Sequence, residues 1–432
     1  MQFFTNFKKR LILLTLTALP FVLSAQTPGN RQIITANGGL FEVNLPYNDF
    51  VTVQTVDPVT NQVLVFDTIK TQSVQDVVVS GNFAYVAAQD SIVKYDITTY
   101  TRTAAALVEG VNKLAVYNSM LLITRQYPVT EKFVQVRSTS DLSLLKEFSE
   151  ISGESAGILV KGTKAYIAVN GGWAGTSGKI AILDMVTVRF EQEIDLGADA
   201  IGIYNLFRFK ENIVSVNRTP YGGTTGSLTM LDPSNHFTTT VYNANIGTGY
   251  QVYNKILYVG INGNLGSFDL NSMAVINPTL IENPATASFG SISSACLDTL
   301  NMKFYLNATD YFSFGQGYVY NFSGDSIGAY TSGISNEAIA IDYTSVTGIS
   351  NPIASKNLAI FPNPCSSWLN ITNVTSNAHI SIYSIEGQLV YNETVQAAQA
   401  HFSMDVNQLT KGVYLLVVTE NQQTYHSKFI KN

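Results

Sequence analysis

The residues that most often build catalytic and metal sites are scarce in this sequence of 432 residues. It has four histidines, of which only His236 precedes residue 357, and two cysteines, Cys296 and Cys365. No CxxC, HxxxH or Asp-rich calcium-binding spacing occurs, so we expect no metal and no cofactor. With so few histidines and cysteines, a Ser–His–Asp or Cys–His catalytic site is not expected before residue 357. Both cysteines are expected to be small buried hydrophobic residues.

Charge is also in short supply. Asp, Glu, Lys and Arg make up 13% of the residues, apolar residues make up 46%, and the net charge is −6. No run of Lys or Arg occurs after residue 10, which argues against nucleic acid as a partner. The glycine pairs at 171–172 and 222–223 lack the strand–loop–helix context of a phosphate-binding loop.

Long apolar runs are absent outside the N-terminal region. There, Lys8, Lys9 and Arg10 precede an apolar segment at 11–23, and Ser24-Ala25-Gln26 suits cleavage. Residues 1–25 are therefore predicted to be a signal peptide. The apolar segment is too short for a durable membrane span, and no Cys directly follows the predicted cleavage site. We expect neither a transmembrane helix nor a lipid anchor.

What the sequence does contain is typical of β-structure. Tyr and Phe occur 23 times each and Gly 31 times, and Val, Thr and Asn are frequent. Residues 76–109 divide into four short apolar runs with polar turns, at 76–80, 83–88, 92–96 and 102–108. This pattern predicts a four-stranded antiparallel meander. One such meander cannot bury both of its faces, whereas copies packed side by side in a ring can.

Copies of the meander follow at intervals of about 44 residues, the size of one propeller blade. An apolar–polar pair closes each third strand, with the polar residue at positions 57, 96, 137, 184, 232, 269 and 321. The second strands also repeat, as IITAN, YVAAQ, LLITR, YIAVN, IVSVN, YVGIN and YLNAT. These second strands resemble the repeats of the YVTN-type, or YncE-like, β-propeller family. The resemblance covers residues 32–343 and implies a seven-bladed β-propeller.

The two ends of this region predict how the ring closes. Three strands near 32–36, 50–57 and 62–68 lack an innermost strand, and one orphan strand at 338–343 lacks a sheet. The orphan is predicted to complete the first sheet and so remove the open edges. The alternative is a pair of β-sandwiches.

After a small polar linker at 344–356, the strand density rises. About seven strands in residues 357–432 predict a small immunoglobulin-like sandwich. Its motifs are FPNP at 361–364, IYSIEGQLV at 382–390, LTKGVYLLV at 409–417 and KFIKN at 428–432. They resemble the type A C-terminal sorting domain of the type IX (Por) secretion system. The alternative is an ordinary binding sandwich.

That resemblance implies export through the type IX secretion machinery, removal of the domain and attachment of the cargo to surface lipopolysaccharide. The protein would be secreted or displayed on the outer cell surface. Gly387 and Gly412 are expected at turns that need a positive φ or a close approach. The matched residues of the sorting signal are Pro362, Asn363, Pro364, Gly387, Gly412, Tyr414, Lys428 and Lys431.

A ligand site is predicted in the loops that follow the second strands, because these loops combine aromatic, amide and Arg residues with Gly. The candidate residues are Arg125, Tyr127, Asn170, Trp173, Asn217, Arg218, Tyr221 and Tyr311. We expect a ligand between Trp173 and Tyr221, with Arg125 or Arg218 holding an anionic group. The fifth residues of the second strands are predicted to circle a central funnel. Alternatively, the aromatic residues only shield the ends of the sheets from water.

The sequence therefore favours a non-catalytic binding protein whose ligand is a small molecule, a glycan or a protein. One alternative is a glycan-active lyase or hydrolase. Its candidate acids lie in the loops between repeats and are Glu109, Glu154, Asp199 and Glu337. Another alternative is an adhesion module that binds a second protein.

Overall fold

The computed structural model describes residues 31–40, 49–287, 289–343, 360–374, 376–384, 388–397, 399–420 and 423–432. The predicted signal peptide (1–25), the predicted linker (344–356) and Gly387 lie outside these residues. The described chain is all-β, with 35 strands and two short 3-10 turns at Gly172–Ala174 and Ala198–Ala200. It contains no helix long and apolar enough to cross a membrane.

Between residues 32 and 342 the strands form seven four-stranded antiparallel sheets. The first sheet contains β28 (Ala338–Asp342), β1 (Gln32–Asn37), β2 (Val51–Val56) and β3 (Val63–Ile69). The second contains β4 (Asp76–Ser80), β5 (Phe83–Ala88), β6 (Ser91–Asp96) and β7 (Thr101–Leu107). The third contains β8 (Val111–Tyr117), β9 (Met120–Arg125), β10 (Val134–Ser138) and β11 (Leu144–Phe148).

The other four sheets repeat this order. They are β12 (Ser155–Lys161), β13 (Lys164–Val169), β14 (Lys179–Asp184) and β15 (Arg189–Asp195); β16 (Ile203–Phe209), β17 (Asn212–Asn217), β18 (Gly226–Leu231) and β19 (Phe237–Tyr242). They continue with β20 (Ile246–Tyr253), β21 (Ile256–Ile261), β22 (Asn264–Asp269) and β23 (Ala274–Ile281); β24 (Ser291–Asp298), β25 (Lys303–Thr309), β26 (Phe314–Asn321) and β27 (Ser326–Ile334).

The sheets are arranged like the blades of a propeller. The first strands of neighbouring sheets contact one another in the order β28, β4, β8, β12, β16, β20 and β24, and β24 also contacts β28. We call these the inner strands. Hydrophobic clusters lie between consecutive sheets, and one joins Ile33 of the first sheet to Tyr305 of the seventh. Burial of each large apolar side chain contributes roughly 1.5–3 kcal/mol, so packing between sheets stabilises the whole arrangement.

The repeated Asp after each third strand caps the turn that follows. Asp57 Oδ1, for example, accepts hydrogen bonds from the backbone N–H groups of Val59 at 2.8 Å and Thr60 at 2.7 Å. Asp184 and Asp269 make the same contacts with their own turns, and the amide of Asn321 replaces the carboxylate in the seventh sheet. An Asx turn of this kind explains why the sequence period is marked by Asp.

Residues 360–432 form a second β-structure with its own core. One sheet contains β29 (Ile360–Phe361), β30 (Trp368–Val374) and β33 (Gln399–Asp405). The other contains β32 (Leu389–Thr394), β31 (His379–Ser384), β34 (Gly412–Glu420) and β35 (Gln423–Lys431). Buried side chains from both sheets, including Leu369, Ile382 and Phe429, pack into one cluster. Seven strands around one core agree with the predicted sandwich.

Several predicted sorting-signal residues have structural roles in this sandwich. Asn363 Nδ2 donates to the carbonyl oxygen of Lys428 at 3.0 Å, and Asn363 Oδ1 accepts from Ile430 N at 2.9 Å, so the segment between Pro362 and Pro364 is fixed to β35. Tyr414 stacks on Phe429 and donates to the Thr410 carbonyl. The expectation for Gly412 was wrong, because its φ is not positive and an added Cβ would meet only the Tyr414 ring, at 3.8 Å.

The pairing of β28 with β1 is reinforced by a buried acid. Asp342 is fully buried and its Oδ2 accepts from Arg31 Nε at 2.6 Å and from Gln32 Nε2 at 3.0 Å. Gln32 is tied in turn to Thr55, whose hydroxyl donates to Gln32 Oε1 at 2.7 Å. The last inner strand is thus connected to the first two strands by side chains as well as by the backbone.

We expect Asp342→Ala to lower the free energy of unfolding by about 3 kcal/mol, because it leaves the partly buried Arg31 without its carboxylate. Urea denaturation of the mature chain measures this. Asp90→Ala is the matched control, since Asp90 is exposed and bonds only to the adjacent Ser91 hydroxyl through its side chain. Equal midpoints for the two variants would show that the acid does not secure the first sheet.

Candidate functional site

A cavity of about 760 Å³ opens where the inner strands begin. Because the strands of each sheet alternate in direction, the loops after the second strands lie at this same end of the sheets. We call it the cavity face. The walls come from the beginnings of all seven inner strands and from four of the loops that follow the second strands, at Gln126, Arg218-Thr219, Gly263 and Tyr311. The loops after the second strands thus reach the cavity wall at four places.

β-Bulges place polar groups in the cavity walls. Five of the seven inner strands shift register near their first residues, at Val111/Leu114, Ser155/Ile158, Ile203/Asn205, Ile246/Gly249 and Ile292/Ser294. A bulge interrupts the alternation of side chains and re-aims those near it. Residues within the bulges that line the cavity are Asn112, Lys113, Gly157, Tyr204, Gly247, Thr248 and Ser293.

One cation of the cavity is paired with an acid. Lys113 Nζ lies 3.8 Å from Asp76 Oδ1 and donates to the carbonyl oxygen of Gln75. Asp76 Oδ2 also accepts from Leu114 N at 2.8 Å. Burial is the largest single influence and works against the charged ammonium group, but Asp76, Tyr204 and Glu337 together outweigh it, and the pKa of Lys113 is raised. Burial raises the pKa of Asp76 more than Lys113 and its backbone hydrogen bonds lower it, so the two partners of this pair hold each other's charge against burial.

Arg218 has no such acid. Its guanidinium carbon lies 3.4 Å from the centre of the Tyr204 ring, a stacked cation–π contact. One terminal nitrogen donates to the Thr248 hydroxyl, whereas Nε is buried without a hydrogen-bond partner. Tyr204 is fixed by its own hydroxyl, 3.3 Å from Asn112 Oδ1. Among the ion pairs of the described residues none involves Arg218, so its charge is available to an anion.

The remaining wall carries an acid and two tyrosines. Glu337 accepts a hydrogen bond from the Ser335 hydroxyl, and burial raises the pKa of its carboxyl group more than Ser335 and Lys113 lower it. Tyr311 shares a hydrogen bond of 2.9 Å with the Ser291 hydroxyl. Burial raises the pKa of Tyr250, whose ring lines the cavity. As far as the described residues show, the site combines one cation that has no acid partner, polar hydroxyl groups and aromatic faces.

The predicted ring of fifth residues does not line the cavity, because the inner strands cover the second strands. Asn217 is 0% exposed and bonds to Ser215, Ser227 and Thr229. Arg125 donates to the carbonyl oxygens of Glu109 and Lys132 and lies 3.7 Å from Glu147. Asn37, Asn170 and Thr309 likewise cap or link their own loops and strands. Hydrogen bonds within the sheets and loops therefore account for the polar residues at these positions.

Of the predicted aromatic residues, Tyr311 lines the cavity, whereas Tyr127, Trp173 and Tyr221 lie on the cavity face outside it. Trp173 is 91% exposed and Tyr221 is 93% exposed, and their ring centres are 6.1 Å apart in an edge-to-face arrangement. At this distance the rings contact each other directly, so the expectation of a ligand held between them was wrong. Tyr127, also exposed, borders a separate depression of about 500 Å³ beside Glu154 and Lys179.

The acids considered for an enzyme differ in whether they line the cavity. Glu337 lines the cavity, whereas Glu109, Glu154 and Asp199 do not. The sequence analysis missed Asp76, Lys113, Tyr204 and Tyr250. A sequence signal that could have found Lys113 is the polar pair that interrupts the apolar residues at the start of its inner strand, in Val111-Asn112-Lys113-Leu114. The described residues contain no group of three or more His, Cys, Asp and Glu side chains that could hold a metal ion.

Two family profiles match parts of the chain. Residues 359–432 match the secretion system C-terminal sorting domain, and residues 72–97 match the LVIVD repeat. No curated protein matches this chain. The C-terminal match indicates export by the type IX secretion system, contact with its machinery, and a secreted or cell-surface location. The LVIVD match falls within the second sheet and agrees with a repeat-rich β-structure.

Solved structures with similar folds share little sequence with this chain. A hypothetical selenium-binding protein from Sulfolobus tokodaii is 10% identical with a TM-score of 0.57, over 75% of this chain and 96% of that one. The extracellular domain of a putative one-component system from B. thetaiotaomicron is 11% identical with a TM-score of 0.45, over 94% of this chain and 59% of that one. At 10% identity the likeness to the selenium-binding protein concerns the fold alone.

Because burial raises the pKa of Glu337, ionisation of this carboxyl group should destabilise the folded chain. Because its pKa is higher in the folded than in the unfolded chain, stability is lost as pH rises above the unfolded value of about 4.3. Glu337→Gln keeps the acceptor for Ser335 and cannot ionise. Its melting temperature should exceed that of the wild type by a margin that widens above pH 4.5. Calorimetry from pH 4 to pH 8 tests this, and a constant or reversed margin would contradict it.

Proposed function

We propose that the chain is an exported, non-catalytic binding protein whose residues 32–343 form a closed seven-bladed β-propeller. In this proposal the central cavity binds a small polar ligand through an anionic group. After export, the sorting domain is removed and the cargo is attached to surface lipopolysaccharide or released.

Ring closure is supported by three features. β28 pairs with β1 over five positions, from Gln32 opposite Asp342 to Ala36 opposite Ala338. The inner strands contact each other in sequence, and β24 contacts β28. A hydrophobic cluster joins the first and seventh sheets. Together they leave no inner edge of these sheets without a neighbour.

The observation that carries the binding proposal is Arg218. Its guanidinium group is stacked on Tyr204, has a buried Nε without a partner and, within the described part of the chain, forms no ion pair with a carboxylate. Lys113, by contrast, is neutralised by Asp76. A carboxylate in the cavity would supply the missing acceptor in a charge-assisted hydrogen bond. The ring of Tyr204 already holds the guanidinium in place, so little side-chain entropy is lost on binding.

Isothermal titration calorimetry tests this with single-carboxylate probes: lactate, benzoate and galacturonate, with glucose as the neutral control. At least one carboxylate should bind the wild type, and Arg218→Gln should weaken it tenfold or more, about 1.4 kcal/mol. The matched control is Arg208→Gln in the same sheet, whose guanidinium is exposed and paired with Glu211 at 3.1 Å. Unchanged affinity in Arg218→Gln would sink the proposed site.

A glycan-active enzyme remains the second candidate because of Glu337 alone. A carboxyl group with a raised pKa in a cavity is suited to donating a proton. Asp76, the other acid in the wall, is occupied by Lys113 and the backbone of Leu114. Release of shortened products from an oligosaccharide by the wild type, but not by Glu337→Gln, would favour the enzyme over the binding protein.

Export should depend on the exposed end of β35. The Lys428 side chain points to solvent, whereas Lys431 is buried and donates to the terminal Asn432 oxygen at 2.8 Å. Lys428→Ala should therefore leave the sandwich folded, yet reduce recognition by the secretion machinery and retain the protein in the periplasm. Lys146→Ala, an exposed lysine outside the sorting-domain motifs, is the control. Immunoblots of cell fractions measure the effect; normal surface amounts of Lys428→Ala would contradict it.

A further inference from the structure

The cavity face carries a group of exposed aromatic side chains. Among the described residues, every aromatic side chain that is more than two-thirds exposed lies in a loop of the cavity face or at the end of a strand next to such a loop. These residues are Tyr127, Trp173, Tyr221, Phe289, Phe312 and Phe314. Strongly exposed Val59 and Val186 lie in turns at the opposite end. Exposed aromatics clustered at one end of a molecule, beside a cavity, indicate a binding surface.

Trp173 and Tyr221 are the pair in this group that contact each other, and both are held by ordered loops. Trp173 lies in a 3-10 turn fixed by hydrogen bonds from Gly172 N to Asn170 Oδ1 at 3.0 Å and from Gly175 N to the Gly172 carbonyl at 3.2 Å. Gly223 N donates to the Pro220 carbonyl at 2.9 Å, closing a turn around Tyr221. The pair is therefore a preformed aromatic platform on the protein surface.

This platform lies close to the free cation of the cavity. Tyr221 follows Arg218 by three residues, so their Cα atoms are at most about 11 Å apart. One loop thus carries the cation in the wall and the aromatic ring at the rim. A ligand longer than a single small molecule could contact both at once.

We propose that the ligand is an acidic oligosaccharide. A carboxylate of one sugar unit binds Arg218 in the cavity, and neighbouring units lie across Trp173 and Tyr221. This inference rests on the proposed function, because it assigns a ligand class to the same cavity.

The chemistry of the surface favours a sugar chain. The flat, C–H-bearing faces of sugar rings pack on aromatic rings, while their hydroxyl groups bond to amide, hydroxyl and backbone groups. Asn170, Thr219 and Ser291 supply such groups near the platform or in the cavity wall. The net charge of the ligand should be negative, because Arg218 is the cation without an acid.

Calorimetry with uronic-acid oligosaccharides of three different linkages, their monomers and neutral oligosaccharides of equal length tests this on the mature chain. At least one acidic tetramer should bind tenfold or more tightly than its monomer and than the neutral tetramer. Trp173→Ala and Tyr221→Ala should each remove most of the affinity that the tetramer gains over its monomer. The affinity for the monomer should stay unchanged. Phe237→Ala, a partly exposed aromatic at the opposite end of the sheets, is the matched control.

The outcomes separate this inference from the function on which it rests. One outcome is that a monomer binds in an Arg218-dependent way while the tetramers bind no more tightly than it does. In that case, or if the two aromatic variants keep the extra affinity of the tetramer, the oligosaccharide inference is wrong and the cavity site stands. If the tetramers bind equally well to Arg218→Gln, the assignment of the carboxylate to the cavity is wrong. If no acidic sugar binds in any form, the oligosaccharide inference is wrong, whatever the result with lactate and benzoate.

Discussion

Backbone donors and acceptors along the inner edge of β1 need partners, and β28 supplies them from the far end of the 32–342 region. The pairing also fixes the cavity, because Glu337 directly precedes β28 and lines the wall with Ala338 and Ile339. Asp342 adds side-chain contacts to Arg31 and Gln32 at the other end of the strand. One strand pairing therefore determines both the first sheet and part of the site.

The strand pattern could be predicted because its signals are local. The second strands are short, largely apolar runs that the structure buries along almost their whole length, and each Asp at the end of a third strand caps the turn that follows it. The sandwich at 360–432 has the expected number of strands for the same reason. Gly412 was misjudged because a glycine in a turn motif does not by itself reveal its φ.

The site was only partly predictable, because it depends on contacts between residues distant in sequence. Arg125 and Arg218 each follow or end a second strand and look equivalent in the sequence. Arg125 is held by Glu147 and by backbone carbonyls, whereas Arg218 reaches Tyr204 and Thr248 on two neighbouring inner strands. Register shifts in the inner strands decide which side chains enter the cavity, and no local propensity encodes them.

The pairing of β1 with β28 also has a consequence for the order in which the chain can fold. The two partners of the Gln32–Asp342 hydrogen bond are 310 residues apart, and the earlier one leaves the ribosome first. Sheets two to seven each consist of consecutive strands and can form as they are synthesised. The first sheet must wait, with the inner edge of its three strands open, until almost the whole region has been made. Until β28 arrives, that open edge is where the chain can pair with another copy of itself.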